Sequence, residues 1–204
     1  MNNEKPFWEQ TYADPNASTF SKGPTADLKE FFHLIKPHSH ILDVGCGEGR
    51  NSIFLAKQGH TVDAFDISAA GIEKAKAIAQ AENVAVNFFC CDLGAFVFTE
   101  TYDVILSHGV LHLPHKEVRD AFVAQMQRNT NHDGLNFVGI FTNRLPATPD
   151  NAPFTNSLFD VGELPQKYAG WQLCHHLEDI FHDEHPGGIQ HEHAYERIIA
   201  RRMS

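Results

Sequence analysis

The 204-residue sequence lacks the features that would place it in a membrane, on a nucleic acid or outside the cell. It has no long apolar run, and its opening residues lack the apolar segment of a signal peptide. Lys and Arg number 16 against 26 Asp and Glu, and this net charge of -10 disfavours nucleic acid and anionic lipid as partners. We therefore expect a cytoplasmic protein, monomeric or homodimeric, whose partner is a small-molecule substrate.

Cysteine is also scarce. The four copies, at positions 46, 90, 91 and 174, form no Cys-x-x-Cys pair, and a chain of this length can bury a core without disulfide bonds. We therefore expect reduced thiols. Histidine is frequent by contrast, with 14 copies that crowd towards the C-terminus.

The hydrophobic pattern alternates between the periods of strands and helices along most of the chain. This alternation predicts an α/β fold with a doubly wound, mostly parallel, seven-stranded sheet in one domain spanning 1–204. Residues 1–24 are predicted to be an irregular arm and 143–160 a long loop. Two further strands, 171–181 and 191–201, are predicted to form a C-terminal antiparallel β-hairpin. The other predicted strands are 40–44, 61–65, 84–89, 102–107 and 135–141, and the predicted helices are 25–35, 50–58, 69–81 and 115–129.

Residues 40–51 pass from an apolar strand through three alternating glycines into a helix. Glycine lets the backbone approach a ligand closely, and the helix N-terminus presents free amides to it. A dinucleotide loop starting at Gly45 would need a small residue at position 50, where Arg50 stands. Asp43 would repel a pyrophosphate, but it suits the ammonium and sulfonium of S-adenosylmethionine (SAM). The loop therefore favours SAM over NAD and disfavours a dehydrogenase.

Polar residues follow the other predicted strands, whose carboxyl ends meet at one edge of such a sheet. Asp66 comes about 21 residues after Gly45, the separation typical of a ribose-binding acid. Asp92 could accept a hydrogen bond from the adenine amino group, and the amide of Leu93 could donate to a ring nitrogen. His108 lies near the expected reaction centre, where a catalytic and a structural role are equally open.

These motifs resemble those of class I SAM-dependent methyltransferases, with LDVGCGEGR at 42–50 and Cys-Asp-Leu at 91–93. The chain more closely resembles the tellurite-resistance methyltransferase family, through FWEQTY at 7–12, VDAFD at 62–66 and YDVILS at 102–107. The resemblance implies a Rossmann-like fold and methyl transfer from SAM to a tellurite- or selenite-type oxyanion or a small thiol. The cofactor-binding residues expected on these grounds are Tyr12, Asp43, Gly45, Cys46, Gly47, Arg50, Asp66, Ile67, Asp92, Leu93 and Ser107.

The C-terminal segment departs from the family. The resemblance implies a His followed by Arg near the substrate, but His182 is followed by Asp183, which counts against a tellurite acceptor. A histidine group stands there instead, for which a polar hairpin face, a substrate-binding or proton-accepting cluster and a metal site are all open interpretations. We assign no metal. The expected catalytic residues are His182 and His108, and the expected substrate-binding residues are Trp8, His185, His191 and His193.

The expected reaction is an in-line displacement at the methyl carbon, in which the protein supplies proximity and orientation. A soft anion needs no general base, whereas an alcohol or amine would need a group such as His182. Trp8 and Tyr12 either close over the site as a lid or pack the arm onto the sheet. The alternative functions are a methyltransferase for another small organic metabolite and a SAM-binding module without transfer activity.

Overall fold

The computed structural model describes residues 6–14, 17, 23–148, 151–185 and 189–203, without the side chains of Phe7 and of residues 183–191. Six helices and seven strands alternate along these residues. The helices are α1 Phe7–Ala13, α2 Ala26–Phe31, α3 Arg50–Lys57, α4 Ala69–Ala81, α5 Lys116–Arg128 and α6 Glu163–Lys167, with a 3-10 turn at Phe32–Leu34 after α2. The strands are β1 His40–Val44, β2 Thr61–Asp66, β3 Asn87–Cys90, β4 Tyr102–His108, β5 Thr130–Phe141, β6 Gln172–His185 and β7 Ile189–Arg201.

The seven strands form one sheet in the order β3-β2-β1-β4-β5-β7-β6. Strands β1 to β5 run parallel, whereas β7 runs antiparallel to both β5 and β6. The predicted fold, including the C-terminal hairpin, is thereby confirmed. The chain leaves β1 towards β2 on one side and returns to β4 on the other, so the strand order reverses between β1 and β4. In open α/β sheets, ligands bind beyond the carboxyl ends of the strands at this switch point.

Each face of the sheet is covered by its own apolar layer, because successive strand residues point to opposite faces. Ile41 and Leu106 belong to the layer that contains Leu28 of α2 and Ile72 of α4. Leu42 and Ile105 belong to the second layer, with Phe122 of α5 and Leu164 of α6. Helices on both faces explain why the central strands are apolar at nearly every position.

Local signals predicted some elements closely. Helix α4 has the predicted bounds, and the predicted N-cap Ser68 accepts a 3.0 Å hydrogen bond from the amide of Gly71.

The arm was predicted to be irregular, but it contains α1, a seven-residue helix stabilised by packing on α4 rather than by propensity. Strand β5 begins at Thr130 instead of 135, since the polar segment before Gly134 continues beside β4 through a register shift. Among the described residues, none of the helices combines the length and apolar character needed to cross a bilayer.

Candidate active site

The glycine loop after β1 lies at the switch point. Gly45, Gly47 and Gly49 have φ values of +67°, +53° and +81°, a region that favours glycine. The amides of Gly45 and Cys46 both donate to the carbonyl of Phe65, at 2.8 and 3.0 Å, which fixes the loop against the end of β2. A Cβ at position 45 would lie 2.0 Å from Cγ2 of Val110, so position 45 has no room for a side chain.

Asp66 joins the glycine loop to the start of α4. Its Oδ2 accepts from the amide of Gly47 and its Oδ1 from the amide of Ser68, both at 2.8 Å. Burial raises the pKa of this carboxyl, and the two amide bonds oppose that shift. Each oxygen keeps a further lone pair, so a fixed carboxylate can still accept from two neighbouring hydroxyls. This arrangement suits a ribose.

Asp43 places a buried carboxyl at the end of β1. It is 3% exposed, and its Oδ2 accepts a 2.5 Å hydrogen bond from the hydroxyl of Ser52 on α3. Burial raises its pKa, while Ser52, His108 and Arg50 act in the opposite direction. A cationic ligand at this edge would stabilise the anion.

An apolar and a polar group stand beyond the ends of β2 and β3. Ile67 is 64% exposed, although it is a large apolar side chain directly after β2. Asp92 is exposed, and its Oδ1 accepts from the amide of Gly94 at 2.8 Å. The amide of Cys91 donates to the carbonyl of Asp66, which holds this turn beside Asp66. Leu93 packs partly buried against the second apolar layer. A flat heterocycle could cover Ile67 and donate to Asp92.

The residues at this edge therefore fit an adenosine-containing cation. Asp66 would hold the ribose hydroxyls, Ile67 and Asp92 the adenine, and Asp43 lies where a positive charge would be stabilised. Ser107, next to the end of β4, is fully buried, and its hydroxyl has no hydrogen-bond partner among the described residues. Arg50 begins α3, and Cys46 is a buried thiol whose pKa is raised by burial.

The arm crosses the glycine loop. The hydroxyl of Tyr12 lies 2.3 Å from the position of a Cβ on Gly47, and its ring lies beside Gly71 of α4. Lys74 of α4 forms a 3.1 Å ion pair with Glu48 and donates to the carbonyls of Thr11 and Asp14. At the other end of α1, the rings of Trp8 and Phe154 pack in a T-shaped arrangement, with their centroids 5.5 Å apart. Helix α1 thus bridges α4 and the loop after β5.

The histidines are distributed over different surroundings. The ring of His193 stacks on that of Phe141, with centroids 4.4 Å apart. The ring of His112 contacts the same phenyl ring, also with a centroid distance of 4.4 Å. Burial lowers the pKa of His112 to about 3. His182 is 84% exposed and pairs with Glu192, and strand alternation puts it on the opposite face from His193. The side chains of His185 and His191 lie outside the described residues. The described part of the hairpin therefore does not bring the predicted histidine group together.

Two further residues reach this edge from distant segments, and the sequence analysis did not identify them. Asp27 of α2 is 4% exposed, and its Oδ2 lies 2.7 Å from Nε2 of His108. Arg197 of β7 lies 3.8 Å from Oδ1 of the same carboxyl. The alternating pattern of the last strand could have singled out Arg197, whereas no spacing signal links Asp27 to the site.

Comparisons with known proteins agree with this geometry. The profile of the family described as "Tellurite resistance protein TehB" matches residues 9–189. A "Probable S-adenosyl-L-methionine-dependent methyltransferase TehB" from Haemophilus influenzae is 26% identical over 178 residues, covering 86% of this chain and 61% of that protein. The crystal structure of TehB from Haemophilus influenzae superposes with a TM-score of 0.80 at 24% identity, over 89% of this chain and 63% of that one. Magnesium protoporphyrin IX methyltransferase from Synechocystis, solved with bound SAM, gives a TM-score of 0.62 at 19% identity, over 87% and 75% of the two chains.

The chain shares the fold of these solved structures. It belongs to the TehB tellurite resistance family, because the family profile matches most of its length. The predicted fold and the predicted family are both confirmed. The chain spans about 61% of the length of the TehB relatives that it matches.

The contact between the arm and the loop gives a first testable prediction. We expect Lys74→Gln to weaken SAM binding about tenfold, because loss of the ion pair and its hydrogen bonds removes about 1.4 kcal/mol of support from the loop. Isothermal titration calorimetry measures the affinity, and amide hydrogen exchange at 11–13 reports release of α1. Lys76→Gln is the matched control, since Lys76 is 49% exposed and pairs only with Glu73 among the described residues. Equal affinities in both variants would contradict a role for the arm in binding.

Proposed function

We propose that the protein transfers the methyl group of SAM to a small, soft nucleophile, either a tellurite- or selenite-type oxyanion or a small thiol. The observation that carries the proposal is the position of α1 across the glycine loop, with Tyr12 over Gly47 and Trp8 against Phe154. This cover favours a small acceptor over a polymer or a bulky ring system. The names of the TehB relatives support an acceptor of the tellurite type.

Bound SAM supplies a methyl group already activated by its sulfonium, so the protein has little bond chemistry to perform. Asp43, Asp66, Ile67 and Asp92 would hold and orient it, as their positions at the carboxyl edge indicate. Tyr12, which is only 8% exposed, covers Gly47, and this cover would exclude water from the glycine loop. Water exclusion strengthens the electrostatic interactions that hold a cation beside Asp43.

The acceptor would enter between the end of β4, the loop after β5 and the arm. Phe141 and His193 form a stacked pair on this side, and Thr148 and Asn151 line a cavity of about 10 Å³ beside it. A cavity of that size holds about one water molecule. These side chains form a close-packed wall, which also favours a small acceptor.

A methyl-transfer screen with labelled SAM tests the proposal. We expect transfer to selenite, tellurite or a small thiol, and none to a matched set of larger amines and phenols. Calorimetric titration with SAM and NAD runs alongside. Binding of NAD without SAM would overturn the proposal, and SAM binding without transfer to any acceptor would favour a binding module. Transfer only to larger organic acceptors would favour a different methyltransferase of the same class.

A further inference from the structure

We infer that Asp27 positions His108 as the proton acceptor of the reaction, and that the acceptor substrate is therefore a small thiol rather than an oxyanion. This inference rests on the proposed function and chooses between its two acceptor classes. It is carried by contacts among residues from α2, β4 and β7, which lie more than 80 positions apart in sequence.

The imidazole of His108 is held at the end of β4. Its Nε2 lies 2.7 Å from Oδ2 of Asp27, and both side chains are at most 10% exposed. A Cβ on Gly139 would lie 3.0 Å from Cδ2 of His108 and 3.5 Å from Cγ of Arg197. Since Gly139 pairs with both residues in register, the three positions stand side by side on β4, β5 and β7. Because Gly139 has no side chain, the imidazole ring of His108 has room to lie beside it.

The charges around the ring set its hydrogen-bonding pattern. Burial alone would raise the pKa of Asp27, but His108 and Arg197 outweigh burial and hold it well below its usual range. An ionised carboxylate only accepts hydrogen bonds, so Nε2 carries the hydrogen in the neutral ring. Nδ1 then has a free lone pair. It is buried, and no described residue forms a hydrogen bond with it.

His108 lies at the carboxyl edge of the sheet, next to the end of β1. Val44 at the end of β1 pairs with Ser107 in register, and His108 is close enough to lower the pKa of Asp43. Buried polar atoms without partners are uncommon in folded proteins. The buried Nδ1 of His108 beside the glycine loop therefore indicates a place for a ligand that carries a proton.

The chemistry of the acceptor follows from this base. An oxyanion is already a nucleophile and gains nothing from a proton acceptor. A thiol has a pKa of about 8.5, so at neutral pH it enters largely uncharged and needs deprotonation to become reactive. A neutral thiol therefore uses the base, whereas an oxyanion does not need it.

The step balances without any further reactant. The thiol proton moves to Nδ1 of His108 as the acceptor sulfur forms a bond to the methyl carbon. The bond between that carbon and the sulfonium breaks, and its electron pair remains on the departing thioether sulfur. The products are a methyl thioether, S-adenosylhomocysteine and a proton that His108 returns to solvent. Asp27 touches neither reactant and acts as a positioning residue through the ring.

The kinetic test compares two sulfur acceptors, one protonated and one ionised at pH 7. With 2-mercaptoethanol at pH 7, we expect His108→Asn to lower kcat about 100-fold and Asp27→Asn about tenfold, with the KM for SAM unchanged. With thioacetate, a small acceptor that is ionised at pH 7, we expect both variants to stay within about threefold of the wild type. The mercaptoethanol rate of His108→Asn should recover as pH rises, because the thiolate fraction in solution grows. His33→Asn, an exposed histidine after α2, is the matched control.

Equal losses with both sulfur acceptors would overturn the inference, as would methylation of selenite but of neither sulfur acceptor by the wild type. Failure of the wild type to methylate any acceptor would instead contradict the proposed function. Long-range nitrogen NMR of the protein without SAM gives a readout that is independent of turnover and of how the variants fold. We expect the wild-type His108 ring to carry hydrogen on Nε2 with a bare Nδ1. A ring with hydrogen on Nδ1 would also overturn the inference.

Discussion

Replacing Asp66 by Asn is expected to raise the Kd for SAM about 100-fold. The carboxylate accepts from the amides of Gly47 and Ser68, so the amide group of Asn would turn one of these contacts into two opposed donors. The variant also loses the negatively charged carboxylate that would accept hydrogen bonds from the ribose hydroxyls. Hydrogen bonds to charged groups contribute roughly 1.5–3 kcal/mol each, and a net loss of about 3 kcal/mol corresponds to that change in Kd. Isothermal titration calorimetry measures it directly.

Glu73→Gln is the matched control for this variant. Glu73 lies on the neighbouring α4, is 74% exposed and pairs only with Lys76 among the described residues. We expect its Kd to stay within about twofold of the wild type, since an exposed pair contributes little. An unchanged Kd for Asp66→Asn would show that this carboxylate does not contact the ligand.

The largest effect on stability is expected for Arg119→Ala, a loss of about 3–5 kcal/mol in the free energy of unfolding. Arg119 on α5 is 1% exposed and forms a 2.6 Å ion pair with Glu163 on α6. It also donates to the carbonyls of Ser157 and Leu158, and its guanidinium lies 3.9 Å above the ring of Phe159. Truncation leaves the half-buried carbonyls of Ser157 and Leu158 without this donor and removes the ion pair with Glu163. Urea denaturation of the protein without SAM measures the loss.

The same pair gives a pH dependence with a defined sign. Burial would raise the pKa of Glu163, but hydrogen bonding from the Asp160 amide and the charges of Arg119 and Lys167 lower it overall. A lowered pKa in the folded state stabilises the protein above the ordinary carboxyl pKa, and this stabilisation disappears as pH falls through the folded value. The difference between wild type and Arg119→Ala should therefore shrink in acid. Arg128 is exposed, so Arg128→Ala should change neither the free energy of unfolding nor its pH dependence. A loss below about 1 kcal/mol for Arg119→Ala would contradict a stabilising role of Arg119.

Some of the site was predictable because its signals are local. The alternating glycines need positive φ, Asp66 follows its strand at a fixed separation, and Ser68 caps the next helix, so short stretches of sequence contain this information. The arm shows the limit of such signals. Helix α1 is short, and its stability comes from Tyr12 against Gly71 and from Lys74, contacts that no local pattern contains.

The sequence alone determined the order and type of most elements and the family, because strand and helix periods and the glycine loop are encoded over a few residues each. The tertiary structure alone decided which polar side chains meet at the carboxyl edge of the sheet. It brings Asp27, His108 and Arg197 together from three separate elements and leaves His182 on the opposite face from His193. The physical reason is that these contacts depend on strand register and on helix packing across the sheet, where one residue of shift moves a side chain to the other face.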